Sequence, residues 1–192
     1  LGGFYDSTIS LELTNKDKNI SDIYYTIDGS EPTTNSLIYK NTIFINKTTV
    51  LRAKAISKDN NFNSSKIITQ TYFINENSTL PVVSIVVDSL FLWNEKDGIL
   101  VEKNLYKDKI VPANFEYFKN TQSIAYNSIA GLRLNGNQTR TYPQKSWRLY
   151  AEDYYQSSTF EYPFFENTYI NNYSRLILRN AGNDWEKGFI RD

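Results

Sequence analysis

Histidine and cysteine are both absent from this 192-residue chain. Their absence removes the Ser-His-Asp and Cys-His nucleophile systems, the usual zinc ligand sets and any disulfide framework. Any chemistry falls to Asp, Glu, Lys, Arg, Ser, Thr or Tyr. Without cysteine the redox compartment stays open, because a surface protein and a cytosolic one fit equally well. An excess of either charge is also missing: Lys+Arg and Asp+Glu both total 21, with eight of each in residues 1–77 and thirteen of each after them. Neither half carries the basic surplus that binding to a phosphate backbone requires, so nucleic acid is not expected as a partner. The longest apolar run, PVVSIVV, is far short of the ~20 residues that a spanning helix needs, and no membrane span is expected. Methionine is absent and the chain begins at Leu1, so a piece of a longer protein is expected, with the question of a signal peptide left open.

What the chain does have is aromatic residues, 15% of the total with 15 Tyr, concentrated in strand-like segments. That composition favours a packed, β-rich protein over a disordered one. From Phe4 to Ile74 short alternating segments are separated by turn-formers. In TISLELT, Ile9, Leu11 and Leu13 share one face, as the period of two in a strand requires. In DIYYTIDGS the inward set is Ile23, Tyr25 and Ile27, and Asp28-Gly29 supplies a turn. TVLRAKAI puts Leu51, Ala53 and Ala55 inside and Arg52 and Lys54 outside, and KIITQTYFI closes the segment. Several such strands with turns between them predict a small β-sandwich.

The run YYTIDGSEPTTNSLIY, followed by TTVLRAKAI and ending QTYFI, resembles the Ig-like, fibronectin-III-associated domain at the C-terminus of chitobiase and β-hexosaminidase enzymes. The resemblance covers roughly residues 4 to 74 and includes the YT-DGS-PT pattern with Tyr39 downstream. It implies an accessory sandwich on surface or carbohydrate-active proteins, with no catalytic role of its own. Asp28 beside Ser30 and Glu31 is read as part of a turn rather than as a metal ligand.

Asn75 to Pro81, NENSTLP, reads as a linker, being polar and ending in proline. In the next strand, PVVSIVVD, residues on both faces are apolar, which predicts a strand covered from both sides. SLFLW reads as a short helical turn, and ANFEYFK, IAGLRLNG, KSWRLYAE and RLILRN read as strands. Around Lys145, strand parity places Lys145, Trp147, Leu149 and Ala151 on one face and Ser146, Arg148, Tyr150 and Glu152 on the other. The lysine thus belongs to the more apolar face, where its stem either snorkels to an edge or points the ammonium at an anion in a cleft. The preceding arm ends in Asn135-Gly136-Asn137, followed by Gln138, Thr139 and Arg140. Glycine permits close backbone approach, and Thr139 and Arg140 offer donors for phosphate oxygens. Asn-Gly is equally the commonest hairpin signal, and the residues alone leave both readings open.

LPVVSIVVD, DGILVE, PANFEYF, GLRLNGNQTRTYPQKSWRLYAE, YPFF and LILRNAGND, in that order from about Leu80 to the end, resemble the CotH family of spore coat protein H kinases. The resemblance implies an atypical kinase-like fold that binds ATP with a divalent metal, Mg or Mn, and phosphorylates Ser on protein partners at a bacterial spore coat or cell surface. By position it implies that Gly136, Asn137, Gln138, Thr139 and Arg140 form the loop near the nucleotide phosphates and that Lys145 pairs with them. Arg179, Asn180 and Asp184 match its LRN-G-D segment as supporting residues. The family's catalytic and metal-binding aspartates lie further downstream than this chain extends, so neither catalytic nor metal-binding residues are assigned and the fragment itself is expected to be inactive.

The expected fold is mainly β: an Ig-like, fibronectin-III-like sandwich over residues 1–76, then the β-rich N-terminal part of an atypical kinase-like α+β domain over residues 77–192. The alternative is a non-catalytic bacterial surface or coat scaffold whose sandwich binds polysaccharide or acts as a spacer. Trp93, Trp147 and Trp185 are candidates for stacking on sugars by residue type, although Trp147 has the parity of a core residue. Glycosidase activity is not expected, because it needs two opposed carboxylates on a complete scaffold.

Overall fold

The computed structural model describes residues 1–16, 21–59, 63–119 and 124–180. The protein is mainly β, as expected. It divides into two compact units, one of Leu1–Asp88 with Asn114–Asn127 and the other of Ser89–Ala113 with Ser128–Asp192.

The first unit contains β1 (Gly3–Tyr5), β2 (Ile9–Leu11), β3 (Ser21–Thr26), β4 (Leu37–Ile38), β5 (Ile43–Ile45), β6 (Thr49–Ser57), β7 (Ile68–Ile74) and β8 (Val82–Val86). One sheet has the order β1-β7-β6-β3-β4, with β1 parallel to β7 and the other pairs antiparallel. Facing it is the antiparallel pair β2–β5. Ile45, Leu51, Tyr72 and Ile74 form the buried core, with Ile9, Leu11, Leu13, Tyr25 and Ala53 packed against it. The alternation legible in TISLELT and TVLRAKAI is what fills this sandwich, because each strand sends every second residue inward. Ile27 departs from that pattern and is 49% exposed. β3 ends at Thr26, and the chain then turns through Gly29 at φ +82°, so the parity of the strand no longer applies.

The segment 75–81 lies inside this first unit, and Asn75 leaves β7 with φ +56°. β8 pairs antiparallel with β9 (Val111–Phe118), Val82 opposite Phe118. The two-sided burial expected for β8 is only partial, since Val86 is buried while Val82, Val83 and Ile85 are half-buried. A run of β-branched residues serves strand propensity as well as burial, and here the former prevails. Phe4 and Phe73 stack with centroids 4.4 Å apart, and Phe118, fully buried, meets both edge-on at 5.8 and 5.3 Å.

On β9 Glu116 has no exposed surface. Its Oε1 accepts from the backbone N–H of Thr71 at 3.2 Å and from Nδ2 of Asn127 at 3.4 Å, and its Oε2 is bonded to the Thr71 hydroxyl. That hydroxyl also meets Ser84 Oγ at 2.7 Å. Burial pushes the Glu116 carboxyl above its ordinary range, and the hydrogen bonds from Thr71 and Ser84 pull the other way.

In the second unit the helical turn α1 (Ser89–Trp93) forms as expected. β10 (Tyr126–Asn135) enters the unit at Ser128 and pairs antiparallel with β11 (Ser146–Tyr150), Arg133 opposite Arg148. The short pair β12 (Phe160–Glu161) and β13 (Asn172–Tyr173) follows, and β14 (Arg175–Leu178) pairs antiparallel with β11. Leu132, Leu134, Leu149 and Phe160 are among its buried residues.

Candidate functional site

The loop between β10 and β11 is built on Gly136, whose φ is +90°. Any other residue is strained at this φ, and a Cβ would also press on the Thr139 hydroxyl. The chain then makes one 3-10 turn over Gln138–Thr141. Asn137 and Gln138 are exposed on it, while Thr139 and Arg140 are buried.

Arg140 points inward. Its Nε donates to the Gly136 carbonyl at 2.6 Å, Nη1 to the Leu105 carbonyl at 2.9 Å and Nη2 to Asp108 Oδ1 at 2.7 Å. Its guanidinium also lies over the Tyr106 ring, 5.7 Å from the centroid. Asp108, itself at φ +55°, is held below the usual carboxylate range by its hydrogen bond and charge interaction with Arg140, assisted by Arg133 and Arg148. Lys145 donates to the Arg140 carbonyl at 2.6 Å. It precedes β11, which begins at Ser146, so the strand parity used to place it stops one residue short. A phosphate held by Arg140 and Lys145 would have to displace bonds that now fasten the loop to the 105–108 segment and to itself.

Gly136 and Lys145 are therefore brought together through Arg140, with the Thr139 hydroxyl against Gly136. Asn180 is bonded to both neighbours of Lys145 at the start of β11: its N–H donates to Ser146 Oγ at 2.9 Å, Ser146 Oγ donates to its Oδ1 at 2.8 Å, and its Nδ2 donates to the Gln144 carbonyl at 2.7 Å. Arg179 is exposed just past β14. Asp184 and Trp185 lie outside the described residues. Of the other tryptophans, Trp93 is 62% exposed and Trp147 half-buried. Among the described residues no group of three or more His, Cys, Asp or Glu side chains is placed to hold a metal ion.

The first unit presents a cleft of about 500 Å³ over the inner face of β6. Ile23, Leu51, Ala53 and Tyr72 line it, together with the polar Glu12, Asn15, Lys16 and Gln70. Apolar and polar lining residues together, at that volume, are the usual make-up of a small-molecule site. Asp28 faces its own turn instead, accepting from the Ser30 N–H at 3.0 Å and the Ser30 hydroxyl at 2.6 Å. Those bonds hold its carboxyl below the ordinary range.

Residues 1–69 match the family model described as the chitobiase/beta-hexosaminidase C-terminal domain. This stretch is similar to that domain. No curated protein and no solved structure matches the chain. The matched stretch ends within β7, and the resemblance of residues 80–192 to the spore coat protein H kinases gains no support from these comparisons. Sequence reasoning missed the cleft, whose walls come from several strands, and it missed Arg133, Arg148 and Arg175, whose common face appears only once three strands are in register.

Proposed function

We propose that this protein is a non-catalytic, β-rich part of a bacterial surface protein, in which the first unit is a carbohydrate-binding accessory module. The observation that carries the reading is the similarity of residues 1–69 to the chitobiase/beta-hexosaminidase C-terminal domain. The cleft over β6 supports it, since a sugar needs hydrogen-bonding groups beside apolar ones, and Glu12, Lys16 and Gln70 line it together with Ile23, Leu51 and Ala53. The ligand class is an oligosaccharide of N-acetylhexosamine, named from the enzymes in the family's description.

Isothermal titration of the 192-residue chain with N-acetylglucosamine oligomers tests this. Saturable binding that weakens in Glu12→Ala and Lys16→Ala is expected. Absence of binding to N-acetylglucosamine, glucose and galactose oligomers, with the fold intact, overturns it and leaves the sandwich as a spacer.

A further inference from the structure

Three arginines share one face of the sheet in the second unit. The register sets Arg133 on β10 opposite Arg148 on β11, and Arg175 on β14 opposite Tyr150. Arg148 is opposite Ile177, two residues along from Arg175, so alternation puts all three arginines on the same side. Arg133 and Arg175 both lie over the ring of Tyr150, at 5.7 and 5.3 Å from its centroid. Like charges directly across a strand pair are destabilising, and the ordinary remedy is a carboxylate for each.

Among the described residues the carboxylates are too few. Asp108 Oδ1 is 3.5 Å from Arg133 Nη1 but 2.7 Å from Arg140 Nη2, so its short bond belongs to Arg140. The Nε atoms of Arg133 and Arg148 are buried with no hydrogen-bond partner among the described residues. A buried donor without a partner is costly, and departures of this kind are expected at functional or strained sites. The face is closed at one end, where Ile110 and Tyr155 stand against Gly131. At the other end, toward β14, Arg175 and Ile177 are exposed.

We infer that this face is a binding site for an oxyanion, a carboxylate or phosphate group held by Arg133, Arg148 and Arg175. The guanidinium fork matches the paired oxygens of either group, and the anion supplies the charge that the cross-strand arginines lack. This site goes beyond the carbohydrate reading and uses none of its residues.

Thermal unfolding of the 192-residue chain at low ionic strength, with inorganic phosphate or glucuronate against chloride at matched ionic strength, provides the test. The unfolding midpoint is expected to rise saturably with at least one of the two, and the one with the lower apparent Kd identifies which group the site prefers. Arg148→Leu abolishes that rise. Arg175→Gln, at an exposed position where folding is not at stake, weakens binding roughly tenfold to a hundredfold. The inference is overturned if neither anion raises the midpoint beyond chloride, or if the rise survives both substitutions unchanged.

Discussion

Glu116 in the first unit and Arg148 in the second are both charged side chains drawn into β-sheet, and their surroundings are opposite. Glu116 is fully buried, yet the Thr71 amide and hydroxyl and the Asn127 amide are all turned toward it. Arg148 faces another arginine across the strand pair, and its Nε has no partner among the described residues. A polar group whose bonds are complete inside the protein is part of the architecture, whereas one whose bonds are incomplete is arranged for something outside it. Arg140 belongs with Glu116 by this criterion, since the Gly136 and Leu105 carbonyls and Asp108 engage its guanidinium.

The sharpest break of the comparison comes from Arg140→Ala. It orphans two carbonyls and should cost the second unit about 3 kcal/mol, read as a lowered urea midpoint. A negligible loss would show that Arg140 is not the fastening of the loop. Gly136→Ala keeps every charge and strains only the turn, at φ +90° and against Thr139. About 2 kcal/mol of destabilisation is expected there. If Gly136→Ala matched Arg140→Ala in size, turn geometry and not charge would be what holds the loop.

Glu116→Gln gives the smallest change at low pH and the most informative profile. The folded carboxyl titrates above its unfolded value, so the native state binds the proton more tightly. Its stabilising contribution is complete below the unfolded pKa and is lost as pH rises through the folded one. Glutamine imitates the protonated acid, so this variant should lose the part of the decline in stability with rising pH that Glu116 causes. A profile parallel to that of the unmodified chain would place the titration elsewhere.

The sandwich was legible because parity is local: Ile9, Leu11, Leu51 and Ala53 could be turned inward from their own neighbours in sequence, and they are. Gly136 was legible as a turn for the same reason. The direction of Arg140 was not, because its acceptors Leu105 and Asp108 lie 35 and 32 residues away. Glu116 was hidden among the aromatics of ANFEYF, its main partner Thr71 being 45 residues off. The contact of Lys145 with the Arg140 carbonyl was not legible, because strand parity says nothing of a side chain one residue before the strand. The arginine face depends on the register of three strands, which no single segment encodes.

The contrast between complete and incomplete polar surroundings is tested most directly by measuring the urea midpoints of Glu116→Leu and Arg148→Leu side by side in a buffer free of oxyanions. Glu116→Leu strips the partner from the buried Thr71 amide, while Asn127 keeps the Thr69 carbonyl, and should lower the midpoint by roughly 1–3 kcal/mol. Arg148→Leu removes a repulsion and a buried donor without a partner, and should leave the midpoint unchanged or raise it. A clear loss of stability in Arg148→Leu, comparable to that in Glu116→Leu, would contradict the account and make Arg148 as much a part of the architecture as Glu116.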